Sequence, residues 1–279
     1  MRFVSWKKNG AQGLAVRRGE ELVRLDGFDM LGLLRAGEVG IERVIAQAAS
    51  APVLDLDGLE YLPPLADPPK VVCVGMNYQD HADENKLPPQ EYPTFFVRFT
   101  GSLLGHEQPM IRPRISDTLD FEGELAAVIG KPGRYIAKDK ALDHVWGYAI
   151  FNDGSVREYQ GRGKQWTLGK NFDRTGGFGP DLITADELPP GARGLHLETR
   201  LNGRVVQSAN TSDLIFDVAT LISRFSEAAS LEVGDVIVTG TPAGIGFFRK
   251  PPLYMKPGDV CEVEIERLGI LRNPIRDEA

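Results

Sequence analysis

The stretch Asp120-Phe121-Glu122-Gly123-Glu124-Leu125-Ala126-Ala127-Val128-Ile129 sets three carboxylates two residues apart and then turns apolar. In a strand, alternate residues share a face with Cα atoms about 6–7 Å apart, so Asp120, Glu122 and Glu124 are expected to project together. Crowded carboxylates repel, and the last to ionise has its pKa raised. A divalent cation removes that conflict, and Mg²⁺ or Ca²⁺ take oxygen ligands of this kind. The same pattern suits a solvated strand edge. A fourth acid, Asp153, follows the apolar run 146–151 and precedes Gly154. It fits a third ligand or the N-cap of the next element, and taken singly the cap is the commoner role.

Other residue pairs have the spacing of a reaction site. His81 and Glu84 are i, i+3 neighbours on a helical turn, where a carboxylate raises imidazole basicity and fixes its tautomer, as a general base needs. The same pair is also frequent on helix surfaces without consequence. If 155–160 opens a helix, Arg157 and Gln160 lie on one face and form a clamp for a carboxylate. Lys170, within Trp166-Thr167-Leu168-Gly169-Lys170-Asn171-Phe172-Asp173, would hold an anionic oxygen if buried near anions, and would otherwise snorkel to the surface. The run Thr239-Gly240-Thr241-Pro242-Ala243-Gly244-Ile245-Gly246 offers glycine N–H groups to an anion, although it is neither a G-x-G-x-x-G nor a P-loop.

The elements that must position these groups are mostly strands. Segments 2–6, 13–17 and 21–24 read as short strands, and 30–36 and 41–49 as short helices. Four prolines between Pro63 and Pro69 make a stiff connector, which divides a small N-terminal domain, residues 1–67, from a main domain, 68–279. About 60 residues bury little core alone, so the first unit is expected to lean on the second. In the main domain 71–75, 94–99, 124–129, 146–151, 236–239 and 260–265 are strand-like. Asn202-Gly203 joins 196–201 to 204–208 as a tight hairpin. The clearest helix is 217–230, with Val218, Leu221, Ile222 and Phe225 on one face and Asp217 as N-cap. The fold class is therefore mixed and mostly β, without the strand–helix alternation of a Rossmann or barrel fold.

Composition narrows the function. With 32 Lys+Arg against 39 Asp+Glu the formal charge is −7, which excludes a nucleic-acid binder driven by a basic face. No apolar run approaches the ~18 residues of a membrane span, and the N-terminus turns polar too soon for a signal peptide. Cys73 and Cys261 lie in apolar stretches and read as reduced, buried thiols of a cytoplasmic protein. His106, His144 and His196 lack ligand spacing, and neither a zinc cluster nor a G-x-S-x-G elbow is present.

Together these segments resemble the fumarylacetoacetate hydrolase family. The pieces are Gly75-x-Asn77-Tyr78-x-x-His81-x-x-Glu84, Asp120-Phe121-Glu122-Gly123-Glu124-Leu125, Asp153-Gly154-Ser155-Val156-Arg157-Glu158-Tyr159-Gln160, the Trp166–Asp173 run and Gly234-Asp235-Val236-Ile237-Val238-Thr239-Gly240-Thr241-Pro242-Ala243-Gly244. The resemblance spans about residues 70 to 265. It implies a β-roll or sandwich catalytic domain with a small α+β N-terminal domain, in a homodimer. It further implies Glu122, Glu124 and Asp153 as ligands of Mg²⁺ or Mn²⁺, with Arg157, Gln160, Lys170 and Thr241 binding a 2-oxo acid substrate. His81 and Glu84 would be the acid/base dyad on a lid, and Lys170 would also stabilise an enolate. The expected activity is hydrolysis of a C–C bond in a 2,4-dioxo acid of acylpyruvate or fumarylpyruvate type, with water activated by His81. The alternatives are oxaloacetate-type decarboxylation, isomerisation or hydration at the same site; a decarboxylase or tautomerase needs no attacking water and would leave His81 dispensable or modulatory. Departures from the family pattern fall at Arg98-Phe99-Thr100-Gly101, where many relatives carry Lys-Pro, at Glu158 after Arg157, where Asp is common, and in 85–92.

Overall fold

The computed structural model describes residues 1–84 and 90–279. Most of the segment 85–92, singled out above, thus lies outside the described residues. Among those described, two sheets dominate and helices are few. The larger runs in the order Glu21–Leu25, Ala11–Arg18, Arg2–Lys8, Gly176–Thr184, Val145–Asp153, Gly123–Ile129, Val236–Val238, Val71–Gly75, Thr94–Arg98. Its neighbours on this path are antiparallel, except that Val236–Val238 runs parallel to Val71–Gly75. The smaller sheet orders Arg204–Asn210, His196–Leu201, Val260–Ile265, Gly269–Asp277 and Met110–Arg112.

The central strand Gly123–Ile129 is buried along its whole length because both of its faces are covered. Leu125, Ala127 and Ile129 pack with Leu197, Val263 and Ile265 of the smaller sheet and with Leu221 and Ile222 of helix Val218–Ala228. Ala126 and Val128 meet a second core with Leu33, Leu34 and Val44 from helix Met30–Ala48. A strand covered on both sides reads as a continuous apolar run, which is how Leu125–Ile129 reads in the sequence.

The first three strands extend the main sheet: Arg2 and Phe3 pair with Ile183 and Leu182. Arg17 forks onto the buried Asp181, Nε to Oδ2 at 2.7 Å and Nη2 to Oδ1 at 2.9 Å. Gly37, at φ 55° and ψ −135°, breaks the Met30–Ala48 helix into the two pieces expected from the sequence. The hairpin has Asn202 and Gly203 at φ 53° and 75°, as a tight turn requires. Asp217 caps Val218–Ala228 by accepting the Thr220 N–H. Both cysteines are free and buried. Among the described residues no helix is long and apolar enough to cross a membrane.

Candidate active site

Strand register assembles the acids. Gly123 stands opposite Asn152, so Glu122, just before one strand, meets Asp153 at the end of its neighbour. The Asp153 N–H donates to the Glu122 carbonyl at 2.8 Å, and the Glu122 N–H donates to Asn152 Oδ1 at 3.0 Å. Glu124, two residues along, shares the face of Glu122. One carboxylate oxygen from each of Glu122, Glu124 and Asp153 lies within 4.8 Å of the others, and all three residues are buried.

One expectation needs correction. Asp120 does not project with Glu122 and Glu124, because the strand is interrupted: Leu119–Asp120 pairs with Ser155–Val156 in a separate ribbon. Its carboxylate accepts Arg157 Nε at 2.8 Å and the N–H groups of Gly246 and Phe247 at 2.8 and 2.9 Å. Of the two roles weighed for Asp153, the cap is the one the structure excludes. Its oxygens accept Arg98 Nη1 and Lys170 Nζ, each at 2.6 Å, and the Arg157–Gln160 helix has no side-chain cap.

Three buried cations answer the acids: Arg98, already seen on Asp153, with Lys170 and Arg157. Lys170, 2% exposed at the end of the short helix Thr167–Lys170, donates to Glu122 Oε2 and Asp153 Oδ2, both at 2.6 Å. Burial works against its charge, but Asp153 and Glu122 outweigh it and the ammonium is held above its ordinary pKa. Arg157 Nη1 meets Glu122 Oε1 at 2.7 Å and Gln160 Oε1 at 2.9 Å. Its Nη2 is buried without a hydrogen-bond partner among the described residues. Burial also opposes the charge of Glu122, yet Lys170 and Arg157 bring it down to about 2. Glu124 goes the other way: burial, then Asp153 and Glu122, push it well above the usual carboxylate range. Its Oε2 accepts the Gly240 N–H at 2.5 Å. A cluster of buried oxygen ligands, with one acid driven upward by burial and then by its neighbours, is the charge imbalance that a hard divalent cation resolves, so these residues fit such an ion.

The glycine run does meet anions, but they are the protein's own carboxylates: Gly240 on Glu124, Gly244 on Glu84 at 3.4 Å and Gly246 on Asp120. Helix Gln79–Glu84 places His81 Nδ1 at 3.4 Å from Glu84 Oε2. A cavity of about 230 Å³ gathers His81, Glu122, Glu124, Arg157, Gln160, Lys170 and Thr241. Glu84 and Asp153 stand behind that lining. Thr241 Oγ1 donates to the Gly123 carbonyl at 3.1 Å and accepts from Gln207 at 2.8 Å. Aromatic walls from Phe96, Trp166, Phe247 and Phe248 complete the cavity. Trp166 lies so close to Gly75 that a Cβ there would stand 2.1 Å from its ring, so only glycine admits the indole.

Sequence reasoning missed three contributors. Arg98, noticed only as a departure, has a fully buried side chain that also donates to Thr175 Oγ1 at 2.8 Å. Gln207 sits in an ordinary hairpin strand, yet it accepts the Gly123 N–H and donates to Thr241. The aromatic wall is dispersed over three segments. For Arg98 a signal existed: a lone cation closing an aromatic and β-branched strand.

A family profile described as Fumarylacetoacetate (FAA) hydrolase C-terminal matches residues 70–276. The chain belongs to the fumarylacetoacetate hydrolase family. Among its relatives is the human protein named oxaloacetate tautomerase FAHD2A, mitochondrial, 41% identical over 272 residues that cover 94% of this chain and 86% of that protein. Fumarylacetoacetate hydrolase from Exiguobacterium antarcticum superposes with a TM-score of 0.87 at 33% identity, covering all of both chains. Maleylpyruvate hydrolase from Sphingobium sp. SYK-6, solved with manganese(II) and pyruvate, superposes at 0.85 with 27% identity, again over both whole chains. The mostly β fold is thus that of the fumarylacetoacetate hydrolase family, whose members named here are enzymes.

Proposed function

We propose that the chain is a divalent-metal-dependent enzyme that interconverts the keto and enol forms of a small 2-oxo acid, oxaloacetate first among them. The observation that carries the chemistry is one cavity lined by His81, Glu122, Glu124, Arg157 and Lys170, with Asp153 and Glu84 bonded to that lining from behind. The choice of substrate is supported by the curated relative at 41% identity. It is also supported by a cavity of about 230 Å³, smaller than the roughly 300–1,000 Å³ that holds drug-sized ligands.

Glu122, Glu124 and Asp153 would hold Mg²⁺ or Mn²⁺, and the ion would polarise the 2-oxo group and neutralise the developing enolate charge. Arg157, whose Nη2 has no partner among the described residues, and Gln160 bind the carboxylate beside that group, and Thr241 closes the pocket around it. Glu84 holds Nδ1–H of His81, and His81 takes the C3 proton through Nε2. The C3–H electron pair becomes the C2–C3 double bond, and the carbonyl pair moves onto the oxygen that Lys170 faces. The proton that His81 took is then returned to that oxygen, which completes the enol with no net change in protons, and the reverse path regenerates the ketone. Tautomerisation therefore needs no water but does need a base, which makes His81 central to this reading and not the dispensable residue anticipated above.

A second reading, C–C hydrolysis of an acylpyruvate, draws support from the maleylpyruvate hydrolase neighbour with its pyruvate. The deciding experiment follows the enol absorbance of oxaloacetate with Mg²⁺ and with Mn²⁺, beside acetylpyruvate cleavage and carbon dioxide release. Accelerated enol decay supports the proposal. Acetylpyruvate cleavage alone moves the assignment to the hydrolase, and inertness toward every 2-oxo acid sinks both. We extend the proposal to a homodimer and to a division between residues 67 and 68.

Metal binding also has a readout without substrate. With free Mn²⁺ a hundredfold above its Kd, the folded state gains about 2.7 kcal/mol, which raises Tm by several degrees. A melt with Mn²⁺ against one with chelator checks this, and superimposable curves would count against the three-acid site.

A further inference from the structure

Asp120 is a fully buried acid that lies outside the triad and has no role in the chemistry above. Both of its oxygens are occupied. Oδ1 accepts the N–H groups of Phe121 at 2.9 Å and Gly246 at 2.8 Å. Oδ2 accepts Arg157 Nε at 2.8 Å and the Phe247 N–H at 2.9 Å. One carboxylate thus joins two structures distant in sequence, the guanidinium at 157 and the turn 245–248. Ile245, Phe247 and Phe248 of that turn line the cavity, and the Phe248 ring lies 6.1 Å from the His81 ring. The approach is close: a Cβ on Gly246 would stand 2.6 Å from Asp120 Oδ1 and 1.8 Å from the Leu253 carbonyl oxygen. The turn can therefore reach Asp120 only as glycine.

We propose that Asp120 is a positioning residue that holds Arg157 and the 245–248 wall as one unit, fixing both the carboxylate-binding fork and the face of the pocket beside His81. With Nε committed to Asp120 and Nη1 to Glu122 and Gln160, the planar guanidinium has one orientation, and Nη2 is left as its donor without a partner among the described residues. The role given to Arg157 here rests on the proposed function; the tie between Arg157 and the wall does not.

Asp120→Asn preserves shape but turns an amide N–H₂ toward groups that are themselves donors. The test compares wild type, D120N, D120E and E122Q, each first shown to melt cooperatively. Mn²⁺ is titrated by calorimetry, oxalate is then titrated into the Mn²⁺-loaded protein, and KM and kcat are measured on the active 2-oxo acid. In D120N, KM and the oxalate Kd should rise about tenfold or more, the loss of a charge-assisted contact. Mn²⁺ affinity should stay within about twofold, and kcat should fall less than kcat/KM. D120E, which keeps the charge at the wrong reach, should move the same way by less and serves if D120N does not fold. An R157K variant should lose oxalate affinity too, and D120N/R157K should be no worse than R157K alone, because Asp120 acts through Arg157.

Three results overturn the proposal: Mn²⁺ affinity lost in D120N as in E122Q, unchanged oxalate affinity, or multiplicative losses in the double variant. Wild-type protein that binds Mn²⁺ but no oxalate would instead sink the role of Arg157 in the proposed function. The tie is then read from a crystal structure of D120N, in which Arg157 and residues 246–247 must both shift; neither moving would overturn it.

Discussion

Glu122→Gln is expected to abolish divalent-metal binding and to lower kcat by about a thousandfold or more, since the metal's share of transition-state stabilisation is several kcal/mol. Glutamine keeps the volume and one carbonyl oxygen but removes the charge that faces Arg157 Nη1 and Lys170 Nζ at 2.7 and 2.6 Å. Two buried cations would then share fewer anions, and breaking a buried pair costs about 3–5 kcal/mol, so a lower Tm is expected as well. Calorimetry with Mn²⁺ beside steady-state kinetics checks both effects. A Glu122→Gln protein that binds the ion with native affinity would remove this residue from the ligand set.

His81→Asn should separate proton transfer from metal binding. Loss of a positioned general base typically costs about 10²–10⁴ in rate, and kcat for enol–keto conversion should fall within that range. Mn²⁺ affinity should be retained, because the ring is paired with Glu84 and is not among the three acids. The same variant divides the chemistries. Decarboxylation of oxaloacetate needs no base at C3, so carbon dioxide release should survive far better than tautomerisation. Equal losses in both would mean that His81 supports the pocket instead of moving the proton.

Local signals carried most of the fold. Asn202-Gly203, the helical spacing after Asp217 and the apolar runs at 71–75 and 125–129 each report their element, because turn chemistry and burial act over a few residues. The break at Gly37 was equally local. The site was legible as a set of residue types, whereas its pairings were not. Period-2 reasoning put Asp120 beside Glu122, but it could not foresee that the chain leaves the strand at Phe121 and starts a second ribbon. Asp153 resembled a cap because the partners that claim it, Arg98 and Lys170, are 55 and 17 residues away. Gln207 left no trace, since its function arises only when the smaller sheet folds over Gly123.

The sheet's continuity through Arg2–Lys8 has a bearing on how the molecule can be cut. The region shared with the family starts at residue 70, yet the Gly176–Thr184 strand finds a neighbour at Phe3 and an ionic anchor at Arg17. A piece trimmed to the shared region would bare that ladder's hydrogen-bonding rim together with the apolar side chains that Leu33 and Leu34 cover, and such rims recruit other chains. With Arg2–Lys8 in place that rim is paired, and the sheet's edge moves out to the short strand Glu21–Leu25.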